Sequence, residues 1–208
     1  MVHNGSRDTE DQREAWNRFY SDHRRPWRGI PVYDFPFPEG SRVLEAGCGG
    51  GKTAKALIDS GYSVVGIDFS EEAVSGCASE LGIKTLCADI CDLPFPDGEF
   101  DGISLVHVTE HLRPGDRISA ASEMIRVLRP GGKVFLRTFS EGDQRAAKGA
   151  RVSEDTVIRG NGIAYTYADP DGMRDMFACF REERLEVEIK RTRYGAERHR
   201  IEAVFIKP

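Results

Sequence analysis

From Arg42 to Phe139 short apolar runs alternate with amphipathic stretches, and this alternation restricts the chain to one kind of architecture. "RVLEAG" reads as a buried strand, and "GKTAKALIDSG" as a helix ending at Gly61. "YSVVGIDFS" is a second strand. "SEEAVSGCASELG" is a helix with Ser70 at its N-cap and Glu71 and Glu72 in its first turn. "IKTLCADI" gives a third strand, "CDLPFPDGEF" a loop and "FDGISLVHV" a fourth strand. "ISAASEMIRVLRPGG" is a helix closed by Pro130 and two glycines, and "KVFLRTF" a fifth strand. Strands that are apolar almost throughout, separated by helices, predict a parallel sheet covered on both faces with right-handed crossovers. Near the C-terminus "RLEVEIKRTRY" and "HRIEAVFIKP" alternate apolar and polar residues around "GAER", which predicts an antiparallel hairpin on the sheet edge. The expected fold is therefore α/β and doubly wound, a mostly parallel seven-stranded sheet with an antiparallel C-terminal hairpin.

Outside this frame the pattern loosens. Residues 1 to about 11 are expected to lack order, and "DQREAWNRFYSDH" places Ala15, Trp16, Phe19 and Tyr20 at helical spacing. "RRPWRGIPVYDFPFPEG" holds four prolines, which predict a rigid extended connector. "SEGDQRAAKGARVSEDTVIRGNG" is polar and is expected to be a mobile excursion, followed by a helix over "DPDGMRDMFACF". The domain boundary falls at residue 42, with an N-terminal segment over 1–41 and one domain over 42–208.

The chain has 208 residues and a formal net charge of −5, so its overall charge favours neither nucleic acid nor an anionic membrane. No apolar run approaches the roughly 20 residues of a membrane span, and the polar N-terminus does not read as a secretory signal. Five cysteines lie mostly in apolar or strand-like segments, which fits a reducing cytoplasm better than a disulfide framework. Cys87 and Cys91 are four apart, but no second pair completes a metal site, so none is expected.

The first strand-to-helix turn carries the most information: Glu45-Ala46-Gly47-Cys48-Gly49-Gly50-Gly51. In open parallel sheets ligands bind at the carboxyl ends of the strands, where strand order reverses. A dinucleotide-binding G-x-G-x-x-G counted from Gly47 meets Lys52 at its third position. Counted from Gly49 it meets Ala54, which the motif accepts, but Gly47 and Glu45 then go unexplained. A phosphate-binding loop needs glycine where Ala46 stands. What remains is E-x-G-x-G-x-G, with an acid at the end of the first strand.

This pattern resembles the first motif of class I S-adenosylmethionine-dependent methyltransferases, of the type 11-like kind, and the resemblance runs from Arg42 to Thr138. It implies S-adenosyl-L-methionine as cofactor. The loop backbone, from Ala46 and Gly47 through Cys48 and Gly49 to Gly51, would wrap its methionine part, with Glu45 beneath orienting the loop or reaching the ammonium through water. Asp68 ends the second strand 21 residues after Gly47, a position suited to a ribose diol; next to it are Phe69, which can lie on the adenine face, and Ser70. "CADICDLPFPDGEFD" resembles the adenine motif, with Ala88, Asp89 accepting from the exocyclic amine and the Ile90 amide meeting a ring nitrogen. "DGISLVHVTEHL" resembles the segment near the sulfur. Val106 and His107 then sit at the strand's carboxyl end, His107 and His111 are the candidate catalytic residues, and Glu110 reads as a first-turn acid with no chemical task. The resemblance fixes no catalytic base.

Acceptor choice belongs to the unmatched parts. The N-terminal helix and Pro-rich segment read as a lid whose Arg24, Arg25, Trp27 and Arg28 approach the site, Trp27 or Arg28 meeting the cofactor or an acidic acceptor. Tyr165 and Tyr167 are candidate pocket aromatics. Lys190, Arg191, Arg193, Arg198 and Arg200 read as a solvated edge that discourages strand pairing rather than as an RNA-binding patch. The expected function is methyl transfer to a small molecule by a cytoplasmic monomer or homodimer. The alternatives are an RNA or protein methyltransferase, a non-catalytic binder of the same cofactor, and a nicotinamide oxidoreductase.

Overall fold

A computed structural model describes residues 5–23 and 29–208, with side chains described from residue 11 onward. Helix α1 (Gly5–Asp22) is followed by β1 (Arg42–Ala46), α2 (Lys52–Asp59), β2 (Ser63–Asp68), α3 (Glu71–Leu81) and β3 (Lys84–Cys87). Then come β4 (Phe100–Val106), α4 (Arg117–Val127), β5 (Leu128–Phe139), β6 (Ala150–Arg151), β7 (Thr156–Ile158) and β8 (Ala164–Thr166). The chain ends with α5 (Pro170–Met176), β9 (Arg181–Arg191) and β10 (Glu197–Ile206). Seven strands form one sheet in the order β3-β2-β1-β4-β5-β10-β9. β1 to β5 pair in parallel, and β10 runs antiparallel between β5 and β9. Strand order reverses between β1 and β4, which opens a crevice at their carboxyl ends.

Period-two alternation sorts the strand side chains to two faces. Leu44, Ile103, Leu105, Val134 and Leu136 meet Met124 and Val127 of α4 and Met173 and Met176 of α5 on one face. Val43, Phe135 and Val204 meet Ala54 and Leu57 of α2 and Cys77 of α3 on the other. The described part of the Pro-rich connector, from residue 29 on, forms no helix or strand and is part of the core. Phe35 and Phe37 lie against the second face, and a Cβ on Gly102 would collide with the Phe37 ring. Gly102→Ala must therefore displace Phe37. The expected cost is about 1–3 kcal/mol, as for other overpacked cores, read as a lower urea midpoint at unchanged m-value.

Three expectations need correction. The expected lack of order up to about Asp11 does not hold from Gly5 onward, where α1 is already helical; residues 1–4 lie outside the described residues. Helix α4 stops at Val127, short of Pro130; Leu128 already pairs with Phe100, and the Pro-Gly-Gly turn becomes a bulge in β5 with Gly131 at φ 73°. The polar excursion after Phe139 is folded. It forms a 3-10 turn over Gln144–Ala147 and a three-stranded sheet, β6-β7-β8. Val157, Ile163, Tyr165 and Tyr167 pack into one cluster with Phe139 and Trp16 of α1, while Val152 stays exposed. Gln12 fastens the same two parts together, donating to the Gly162 carbonyl and accepting from the Ala164 amide, each at 3.0 Å.

Candidate active site

The glycine turn is pinned from below. The Gly47 and Cys48 amides both donate to the Ile67 carbonyl at the end of β2, at 2.8 Å each. Gly47 and Gly49 take φ of 80° and 48°, in the left-handed region that disfavours a side chain. A Cβ on Gly47 would strike Val108, and one on Gly49 would strike the Tyr20 hydroxyl. The turn is thus a bare backbone ledge with α1 lying over it.

Asp68 is buried at the end of β2, where its Oδ2 accepts from the Gly49 amide at 2.9 Å and its Oδ1 from the Ser70 amide at 3.0 Å. A carboxylate offers about four acceptor positions, so capacity remains beyond these backbone donors for a ligand hydroxyl. Burial pushes its pKa up to about 6, against the opposing hydrogen bonds from Ser70, Gly49 and Phe69. In the free protein this makes the ionised form costly: the stability contribution is fullest below the unfolded carboxylate range and falls as pH rises through about 6. Asp89 takes the Cys91 amide on Oδ1 at 2.9 Å and lies on the same wall.

Two cavities open at the strand ends. One is lined by Gly47, Asp68, Phe69, Ala88, Asp89 and Ile90, and the other by Cys48, Gly49, Val106, Arg137, Phe139 and Tyr165, among others. They share Trp16, Tyr20, Gly47, His107 and His111, and therefore meet at these residues. Of the expected residues, Glu45, Ala46, Gly51 and Ser70 stand off the cavity walls. Gly51 starts α2, while the Ser70 hydroxyl caps α3 and donates to Asn17 of α1 at 2.7 Å. Glu45 is buried in the sheet beside Ser104. Its Oε2 makes no hydrogen bond of good geometry, and burial raises its carboxyl well above the usual range against the opposing Ser104 hydroxyl. An orphaned buried carboxyl oxygen under a bare glycine ledge fits an amine-bearing ligand above it. Trp27 and Arg28, with Arg24 and Arg25, lie outside the described residues.

His107 follows β4 with φ 62°, the left-handed conformation that a histidine rarely adopts. Its Nδ1 lies 2.9 Å from Glu110 Oε1, and Glu110 Oε2 accepts from the Thr138 hydroxyl at 2.8 Å. Glu110 lies in the first turn of a 3-10 helix, as expected, but it is fully buried and is the partner of His107. Burial works to raise the Glu110 carboxyl, but the charge and hydrogen bond of His107, with His111, outweigh it and hold the group below its ordinary range. A carboxylate there places the proton on Nδ1 and leaves Nε2 as an acceptor. The His107 ring stacks on Phe139 at 4.2 Å. His111 bonds the Ala164 carbonyl through Nδ1 at 2.8 Å, packs edge-on to Trp16 and Tyr165, and is held neutral to lower pH by burial. Its position joins the β6–β8 sheet to the strand ends.

The hairpin cations divide. Arg191 and Arg193 are exposed, but Lys190, Arg198 and Arg200 line the second cavity, so the reading of that cluster as a solvated edge holds for only part of it. They are joined there by Arg137, Arg145 and Arg159, which are spread along the sequence and share no motif. Tyr165 lines this cavity, while Tyr167 supports it by accepting from Arg159 at 3.1 Å.

Residues 44–136 match the methyltransferase domain family. A SAM-dependent methyltransferase structure from Methanosarcina mazei superimposes with a TM-score of 0.72 at 20% identity, covering 83% of this chain and 97% of that one. A tRNA N(3)-cytidine methyltransferase METTL2 from Gallus gallus is 29% identical over 77% of this chain and 48% of its own length. A demethylmenaquinone methyltransferase from Beutenbergia cavernae is 33% identical over 56% of this chain and 48% of its own. The chain spans about half the length of these curated relatives. Over residues 44–136 fold and family match agree: this part of the chain is similar to methyltransferase domains, in the fold of the S-adenosylmethionine-dependent enzymes. Among the described residues, no helix is long and apolar enough to cross a membrane.

Proposed function

We propose that the chain is an S-adenosylmethionine-dependent methyltransferase acting on a small molecule that presents an ionisable O–H, S–H or N–H. The observation that carries this reading is the junction at His107 between a cavity edged by Asp68 and Asp89 and a second, aromatic and charged cavity. The cofactor supplies a methyl group already activated on a sulfonium. The glycine ledge with Glu45 beneath it would take the amino-acid end, Asp68 the ribose hydroxyls and Asp89 the adenine. His107 would accept the acceptor's proton on Nε2, with Glu110 stabilising the imidazolium and Thr138 fixing Glu110. Residues 1–41 would act as a lid over the domain 42–208, with Trp16 and Tyr20 of α1 already on both cavity walls.

An RNA acceptor is the second reading, favoured by the tRNA methyltransferase relative and the basic wall. The test of the cofactor assignment is calorimetric titration with S-adenosylhomocysteine and with NAD. The demethylated product is expected to bind and NAD not to bind; the reverse would overturn the reading. Hydroxyl donors prefer an ionised carboxylate, so protonating Asp68 should weaken binding. With its pKa at about 6, affinity should be about tenfold lower at pH 5 than at pH 7.

A further inference from the structure

The second cavity carries an excess of positive charge on an acidic protein. Seven cationic side chains line it against four carboxylates, while the whole chain carries −5. The carboxylates are mostly committed. Glu188 binds Arg137 and Lys190 and lies 3.4 Å from Arg200, and Glu202 binds Arg137 and Arg184. Arg198 has Asp143 at 3.4 Å. Arg145 and Arg159 have no ion-pair partner among the described residues.

Both are held in place by aromatic rings instead. The Arg145 guanidinium lies 4.4 Å from the Phe139 ring centre and that of Arg159 lies 3.8 Å from Tyr165. Each has a buried nitrogen with no hydrogen-bond partner, Nη1 of Arg145 and Nε of Arg159. Burial, then the neighbouring Arg198, Arg159 and Arg200, push the Arg145 pKa down to about 10 despite Asp143, so positive charge is crowded here. Guanidinium groups fixed in plane with unmet donors suit a carboxylate or phosphate. Phe139 carries both the Arg145 guanidinium and the His107 ring, so the anion site and the proton acceptor are about one aromatic residue apart.

We propose that the acceptor is a small anionic molecule whose carboxylate or phosphate is held by Arg145 and Arg159, with its methylated atom about one ring's length away beside His107. This rests on the methyltransferase reading for the second half only, since the anion site stands on its own geometry. A nucleic acid fits less well. The two unpaired arginines are half-buried inside the cavity, whereas backbone binding calls for an exposed basic stripe, and the exposed Arg191 is already paired with Glu197 at 3.7 Å.

The test is calorimetric titration of the full chain, with and without S-adenosylhomocysteine, using 4-hydroxybenzoate, 4-hydroxyphenyl phosphate, neutral 4-hydroxybenzamide and a 12-nucleotide single-stranded RNA. At least one of the two small anions is expected to bind about tenfold or more tightly than the amide; which one binds decides between carboxylate and phosphate. Replacing Arg145→Met and Arg159→Met together should abolish that preference and leave S-adenosylhomocysteine affinity unchanged. Arg145→Lys with Arg159→Lys should restore part of it, which separates loss of charge from loss of fold. An amide as good as the anions, anion binding that survives the double Met variant, binding by RNA alone, or binding by no probe would each overturn the proposal. Anion binding without S-adenosylhomocysteine binding would overturn the cofactor reading and leave the anion site standing.

Discussion

His107→Asn is expected to lower kcat by about 100- to 10,000-fold, the range for losing a positioned proton acceptor, while S-adenosylhomocysteine binds as before. Asparagine is the informative replacement because His107 sits at φ 62°. Asparagine tolerates that region, so the turn after β4 keeps its shape while the ring nitrogen is lost. Alanine would mix chemistry with backbone strain. Glu110 makes the result more specific. If it acts by orienting His107, Glu110→Gln should also reduce kcat with little change in KM, and its effect should largely vanish in the His107→Asn background, since residues acting as a unit are not additive. Unchanged kcat in His107→Asn would remove the proton-transfer role and leave approach and alignment as the protein's contribution.

Asp68→Asn is expected to weaken S-adenosylhomocysteine binding by about 100-fold or more, since hydrogen bonds to a charged acceptor contribute about 1.5–3 kcal/mol each and two hydroxyls lose theirs. The amide is nearly isosteric, but only one of its two ends can accept. Either the Gly49 or the Ser70 amide then faces an NH2 group in a buried place. The glycine ledge and the start of α3 would both loosen, which adds to the loss. The pH dependence expected of the native protein should disappear in this variant, because the group that titrates at about 6 is gone. Native affinity in Asp68→Asn, or a pH profile that survives the substitution, would assign the ribose to other residues.

The shape of the glycine turn was legible in the sequence because it is set by backbone. A turn that needs Gly47 and Gly49 in left-handed conformations, with acids at the ends of successive strands, leaves a pattern that spacing alone reveals. The parallel order of β1 to β5 followed from the same alternation. The arginine-lined cavity was not legible. Arg137 lies on β5, Arg145 on the 3-10 turn, Arg159 between β7 and β8, and Arg200 on β10. They share a wall only because β10 inserts beside β5, and because the segment after Phe139 folds back onto α1. That segment looked structureless because strands of two or three residues are too short to show a period. Its order comes from Ile163, Tyr165 and Tyr167 closing around Trp16. The partners of Glu110 were hidden for a related reason: one of them, Thr138, lies 28 residues away on β5.

The most direct measurement is a crystal structure of the chain with S-adenosylhomocysteine bound. The nucleoside is expected in the crevice between β1 and β4, its ribose hydroxyls within hydrogen-bonding distance of Asp68, its base beside Asp89 and its sulfur facing His107. A ligand found elsewhere on the molecule, or in the crevice with the sulfur turned away from His107 and the arginine-lined cavity, would contradict that expectation.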